Sequence, residues 1–143
     1  MKVKIKKLRE KAVIPQYMSE GAACMDITAI SWAYDAKLNR FIYQTGLAFE
    51  VPEGYYMDLR PRSNMTKKRC AIVNANGTLD SDYRGELMIV ITNLDQDNHV
   101  PPYDSMERVC QMMILPYPKI EFEEVEELSD TARSSNGFGS TGV

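Results

Sequence analysis

The sequence predicts an all-β domain, a sandwich or barrel, with one short helix and a flexible C-terminal tail over residues 129–143. Three observations carry this. Short apolar, β-branched or aromatic runs recur along the chain with Gly, Pro, Asn or Asp clusters between them. Only residues 63–69 carry a helical pattern, for about two turns. The final stretch is rich in Ser and Gly and holds almost no apolar side chains.

Taken in order, Lys2, Val3, Lys4, Ile5 and Lys6 alternate strictly, the period-two pattern of a half-buried strand. Pro15 and a turn at Ser19, Glu20 and Gly21 separate it from the apolar stretch 22–29. Residues 31–40 read as a plain loop or, through Trp32 and Tyr34, as a contact surface. Residues 41–51 form one or two strands, with Gly46 in the middle and a turn at Pro52, Glu53 and Gly54. The strand 55–59 breaks at Pro61. Ser63 or Asn64 can cap the short helix, and Lys67, Lys68 and Arg69 complement its C-terminal dipole end. Asn76 and Gly77 favour φ > 0 and predict a tight hairpin. Residues 87–92 are continuously apolar or β-branched, the pattern of a strand buried on both faces, and 109–115 repeat it until Pro116 and Pro118. Ile120, Phe122 and Val125 interrupt a glutamate-rich stretch and predict a late strand.

A chain of 143 residues is one domain's worth, and 44% hydrophobic with 26% charged residues is ordinary for an ordered globular protein. The net charge of −3 offers no broad basic field, so no nucleic-acid surface is expected and any phosphate binding must be local. Cys24, Cys70 and Cys110 are odd in number with no CxxC pair, which argues against a disulfide framework or a zinc site and fits a reducing interior. The lone His99 cannot build a histidine-based metal site. No apolar run approaches the roughly 20 residues of a membrane span. No apolar core follows the N-terminal lysines, so no signal peptide is expected and the cytoplasm is the expected location.

Five segments stand apart from the strand pattern. In the first, Asp26 sits among Ala22, Ala23, Cys24, Met25 and Ile27; it either holds a magnesium ion, directly or through water, or caps a turn. The second, Arg60, Pro61, Arg62, Ser63 and Asn64, is either an anion site of amides, hydroxyl and guanidinium or an ordinary helix start with surface arginines. The third, residues 74–86, runs through Asn74, Gly77, Thr78, Leu79, Asp80, Tyr83 and Arg84; alone it reads equally as a surface turn or a site. In the fourth, Gln111 follows Glu107, Arg108, Val109 and Cys110 and interrupts an apolar strand, so it needs a partner from another strand or from a ligand. The fifth is the tail, with Arg133, then Phe138 between Gly137 and Gly139, then Ser140, Thr141 and Gly142. It suits a ring laid on a flat ligand with amides and hydroxyls around phosphates, or it is a disordered tail; it lacks the lysine and helix of a P-loop.

In this order and at these intervals the segments resemble the five motifs of the trimeric dUTPases, over residues 22–142, and the runs 77–86 and 137–142 are the most specific. The resemblance implies a jelly-roll-like β-barrel, a homotrimer with active sites at subunit interfaces, and hydrolysis of dUTP to dUMP and diphosphate with Mg2+. Such an activity keeps dUTP low and supplies dUMP for thymidylate synthesis. The resemblance implies that Asp80 activates the water attacking the α-phosphorus, help worth about 10²–10⁴ in rate. The turn from Asn74 through Gly77, Thr78 and Leu79 would read uracil with its backbone, and Tyr83 would pack under the deoxyribose and exclude a 2′-hydroxyl. Asp26 would orient metal-bound waters, while Arg62, Ser63, Asn64 and Gln111 would reach the phosphates. In the tail, which would close over an active site, Arg133, Ser140 and Thr141 would contact the γ-phosphate, Phe138 would stack on uracil, and Gly139 belongs to the same substrate-binding segment.

Cys24, Asn64, Met106, Ser134 and Asn136 depart from the residues usual in that family, so activity with altered affinity is expected. Two alternatives remain at this point. One is a dCTP deaminase-like enzyme, a relative that uses a glutamate and lacks this tail. The other is a protein of the same fold whose nucleotide site serves as a switch for a regulatory protein partner.

Overall fold

Eleven strands and one helical turn organise the computed structural model, which describes residues 1–95, 97–132 and 134–135. In chain order they are β1 (Lys4–Lys7), β2 (Gln16–Tyr17), β3 (Met25–Thr28), β4 (Ser31–Asp35), β5 (Arg40–Gln44), β6 (Leu47–Glu50) and β7 (Tyr55–Arg60). Then come α1 (Met65–Lys68), β8 (Cys70–Ile72), β9 (Gly77–Leu79), β10 (Met88–Asn93) and β11 (Arg108–Pro116). They pair into three sheets, β1–β6, β4–β5–β10–β8 and β2–β3–β11–β7–β9, with every register antiparallel. From β5 onward every connection changes sheet, which is how a jelly roll winds its two layers around one core. The expected all-β, jelly-roll-like architecture is the one that forms.

Phe41, Tyr43, Ile89 and Ile91 of the four-stranded sheet meet Ile27, Met57, Leu59, Cys110 and Met112 of the five-stranded one, in one continuous hydrophobic cluster. Gly46, at φ 68°, breaks the run 41–51 into β5 and β6. All three cysteines are free, and burial pushes the Cys110 thiol far above its ordinary range.

Several expectations need correction. Residues 31–40 are not a loop: β4 pairs with β5 from Ser31 opposite Gln44 to Asp35 opposite Arg40. The turn is closed by the Asp35 carboxylate, which accepts from the Lys37 and Leu38 amides and pairs with Arg40 Nε at 3.0 Å, so no Gly or Pro marks it. Strand β10 is not buried on both faces. Ile89 and Ile91 are fully buried, but Met88 is 41% exposed and Val90 is half-buried, because the outer face of this strand lines a cleft. The Ile120, Phe122 and Val125 segment forms no strand; those side chains are exposed, and no strand of the described residues pairs with it. A strand without a partner edge has nowhere to place its backbone hydrogen bonds.

The helix is one turn, not two, and ends where Arg69 enters the left-handed region at φ 51°. Asn64 stands at its N-cap without a capping side-chain bond, since its amide oxygen is held by Tyr103 instead. The tight hairpin at Asn76 and Gly77 is absent too. Strand β8 pairs with β10 and β9 pairs with β7, so residues 73–76 cross between sheets, and neither Asn76 nor Gly77 has a positive φ.

Candidate active site

The sheet crossing opens onto a cleft of about 290 Å³. Leu59, Asn74, Gly77, Thr78, Leu79, Asp80, Tyr83, Met88 and Val90 are among the residues that line it. Asn74 ties the crossing to β10: its Oδ1 accepts from the Val90 amide at 3.0 Å and its Nδ2 donates to the Met88 carbonyl at 3.4 Å. A Cβ on Gly77 would lie 2.6 Å from the Asn74 carbonyl oxygen and 3.0 Å from Leu59 Cδ1, so only glycine lets the crossing wind this tightly.

Beyond Leu79 the loop 80–87 is pinned at both ends. The Tyr83 amide donates to the Asp80 carbonyl at 3.2 Å, and Arg84 Nη1 donates to the Ser81 and Tyr83 carbonyls at 2.6 and 2.9 Å. At the far end the Gly46 amide donates to Glu86 Oε1 at 2.7 Å, and Thr45 Oγ1 donates to the Leu87 carbonyl at 2.7 Å. The Tyr83 hydroxyl donates to the Glu86 carbonyl at 3.2 Å, folding the ring over Gly85, where any side chain would collide with it. Asp80 stands at the rim, exposed, and its carboxylate has no hydrogen-bond or ion-pair partner among the described residues. A carboxylate in that state keeps both oxygens available to bind a water and accept its proton.

The second cluster lies at the same C-terminal end of β7, on the side of its other neighbour, β11. Register sets Asp26 opposite Gln111 and Gln111 opposite Arg60, so three neighbouring strands bring these residues side by side. Asp26 Oδ1 takes Arg62 Nε at 3.2 Å and its Oδ2 takes Arg108 Nη1 at 2.9 Å, with the carboxylate side chain only 12% exposed. Arg62 Nη1 also donates to the Arg108 carbonyl at 2.9 Å, and Gln111 Nε2 donates to the Pro61 carbonyl at 2.9 Å. Asp26 is therefore not a turn cap; it clamps two guanidiniums together. Two cations against one anion leave the cluster net positive, which suits a phosphate. Gln111 finds its partner in the backbone of the 60–64 turn.

Arg108 is the residue that sequence reasoning passed over. Its signal was a basic residue opening β11 in register with the strand that carries Asp26, which only the pairing reveals. No hydrogen bond or ion pair joins the two clusters among the described residues, although Leu59 lines one and Arg62, three positions on, belongs to the other. Arg133, Phe138, Gly139, Ser140 and Thr141 lie outside the described residues.

No group of three or more His, Cys, Asp or Glu side chains among the described residues could cage a metal ion. With both Asp26 oxygens on guanidiniums, the donor set fits a hydrated magnesium ion carried by a substrate's phosphates and reached through water, not a resident ion bound directly.

Together, a tightly wound cleft with a free carboxylate at its rim and an arginine–carboxylate clamp nearby can hold a flat ring, an attacking water and an anionic group. The chain belongs to the dUTPase family, whose profile matches residues 10–142. It is 41% identical over 145 residues to the deoxyuridine 5'-triphosphate nucleotidohydrolase of Hydrogenobaculum sp., covering 100% of this chain and 99% of that protein. It is 43% identical to the protein of the same name from Nautilia profundicola, covering 99% of each. The dUTPase of Staphylococcus bacteriophage 80alpha, solved with dUpNHpp, superposes with a TM-score of 0.83 at 25% identity over 99% of both chains.

Proposed function

We propose that this chain hydrolyses dUTP to dUMP and diphosphate, taking the substrate as its magnesium complex. The observation that carries the reading is the unpaired Asp80 at the rim of a cleft that Gly77 and Asn74 wind tightly. In this reading the backbone of residues 74–79 faces the uracil edge, and the folded-down Tyr83 ring packs under the deoxyribose. Asp80 takes a proton from a water whose oxygen attacks the α-phosphorus; the bond to the bridging oxygen breaks and diphosphate leaves. The positive cluster of Arg62 and Arg108 around Asp26 holds the phosphates, with Ser63 and Asn64 on the turn after Arg62 and Gln111 of β11 bonded to that turn. Magnesium, when bound, neutralises phosphate charge and helps align the leaving group.

Membership of the dUTPase family supports a homotrimer, in which one copy's cleft would be completed by a neighbour's phosphate cluster. The tail residues Arg133, Phe138, Gly139, Ser140 and Thr141 would then close over that composite site. The cytoplasm suits an enzyme with this substrate.

The test is diphosphate release from dUTP, dTTP, dCTP and UTP at equal concentration with magnesium. Selective cleavage of dUTP is expected. Equal cleavage of UTP would remove Tyr83 as sugar gate, and ammonia release from dCTP would replace the reading with a deaminase.

A further inference from the structure

Asn64 is tied to a residue far away in sequence. The Tyr103 hydroxyl, in a side chain 1% exposed, donates to Asn64 Oδ1 at 3.0 Å. Tyr103 itself cannot shift easily. Its backbone amide donates to the Tyr43 hydroxyl at 3.0 Å, and that hydroxyl donates back to the Tyr103 carbonyl at 3.0 Å. On the other side Lys68 Nζ sits 4.4 Å over the ring and donates to the Pro102 carbonyl at 2.6 Å.

The polarity of the bond is set by its surroundings. Burial pushes the Tyr103 hydroxyl far above the ordinary tyrosine value, so it stays an O–H donor. The Cys70 thiol, also pushed up by burial, lies beside the same hydroxyl, but a thiol is a weak acceptor and the 3.0 Å bond runs to Asn64 Oδ1. With its oxygen committed, Asn64 has only its NH2 left to offer, and that group has no partner among the described residues and caps no helix.

We propose that Tyr103 is a positioning residue that fixes the Asn64 amide so that its NH2 donates to the substrate's phosphates beside Arg62 and Ser63. The inference rests on reading residues 62–64 as the phosphate turn. It makes the side chain at position 64 an added phosphate donor and ties its performance to a tyrosine in the loop before β11.

The test measures steady-state dUTP hydrolysis with magnesium for Tyr103→Phe, Asn64→Gly, the double variant and Arg62→Lys, together with inhibition by deoxyuridine, which has no phosphate. Tyr103→Phe should raise KM for dUTP by about fivefold to tenfold with kcat changed less than about twofold, the scale of one ordinary hydrogen bond. Deoxyuridine inhibition should be unchanged. Asn64→Gly should raise KM comparably, and adding Tyr103→Phe to it should change nothing further. Deoxyuridine affinity falling in step with dUTP, or a full Tyr103→Phe effect on top of Asn64→Gly, overturns the proposal. So does an unchanged KM in Asn64→Gly while Arg62→Lys raises it. An unchanged KM in both overturns the phosphate turn itself. Should Tyr103→Phe fail to fold, Asn64→Asp carries the test, since it keeps the acceptor for Tyr103 and loses the NH2; its KM must rise, and an unchanged value sinks the idea.

Discussion

The cleft at residues 74–90 and the clamp around Asp26 solve the problem of rigidity by opposite means. The cleft is wound from backbone, with one amide side chain sewing the crossing to β10 and one glycine allowing the close approach. The clamp is built from charged side chains that hold one another, Asp26 with Arg62 and Arg108. The first is sensitive to shape and nearly blind to charge, except at Asp80. The second is sensitive to charge, and its shape follows from the ion pairs. A flat, neutral base needs the former and a triphosphate needs the latter.

The largest break in this contrast comes from Asp80, whose carboxylate at the cleft rim has no partner among the described residues. Asp80→Asn keeps the shape and removes the proton acceptor, so kcat for dUTP should fall by about 10²–10⁴ while the affinity for dUMP changes little. Turnover near the unaltered rate would remove Asp80 from the chemistry. At the clamp, Asp26→Asn leaves two guanidiniums facing an uncharged amide. Losing charge-assisted bonds of about 1.5–3 kcal/mol should lower unfolding stability measurably and raise KM for dUTP about tenfold, with deoxyuridine inhibition spared. If deoxyuridine binding collapsed as well, cleft and clamp would not be separate devices.

A shape-only change sharpens the cleft side. Gly77→Ala puts a methyl against the Asn74 carbonyl and Leu59, a strain of about 1–3 kcal/mol. Denaturant unfolding should show that loss, and deoxyuridine inhibition should weaken while the response of activity to ionic strength stays unaltered. An unchanged inhibition constant would mean that the winding at Gly77 serves the fold alone.

The two regions also differ in how legible they were. Asp80, Arg62 and Gln111 could be picked out because their types break the local pattern: a carboxylate beyond a turn, an arginine after a proline, a polar residue in an apolar strand. Arg108 could not, since its meaning depends on the β3–β11 register, and no local signal reports register. The same gap explains why Asn76 and Gly77 read as a hairpin. The dipeptide favours a turn, but it cannot say that β8 and β9 pair with strands in different sheets. Ser63 or Asn64 reads as the cap because capping is local; Asn64 does stand at the N-cap, but its side chain bonds instead to a residue 39 positions away, which no local signal reports. The apolar outer face of β10 looked like double burial; it is apolar because Met88 and Val90 line the cleft. For the late strand the pattern at Ile120, Phe122 and Val125 was real, but no edge among the described residues receives it.

The smallest effect separates the two regions by pH. Tyr43 and Tyr103 lock the loop that holds Asn64, on the clamp side, while neither lines the cleft. Burial raises both hydroxyls well above the ordinary value of 10.0. A raised folded-state value means the stabilisation is whole below pH 10 and drains away as pH climbs from there towards the folded-state value, because the unfolded chain ionises first. By about pH 10.5 each tyrosine should have cost roughly 1 kcal/mol, and nothing at pH 8. Lysines and thiols titrate in the same range, so the informative quantity is the difference between the protein and Tyr43→Phe. That variant is less stable at pH 8, where it has lost two buried hydrogen bonds, and the gap should narrow as pH rises from 9 to 10.5. A gap of constant width would mean that the Tyr43 hydroxyl ionises alike in the folded and unfolded chain, and the lock on the Asn64 side would then carry no pH dependence to set it apart from the cleft.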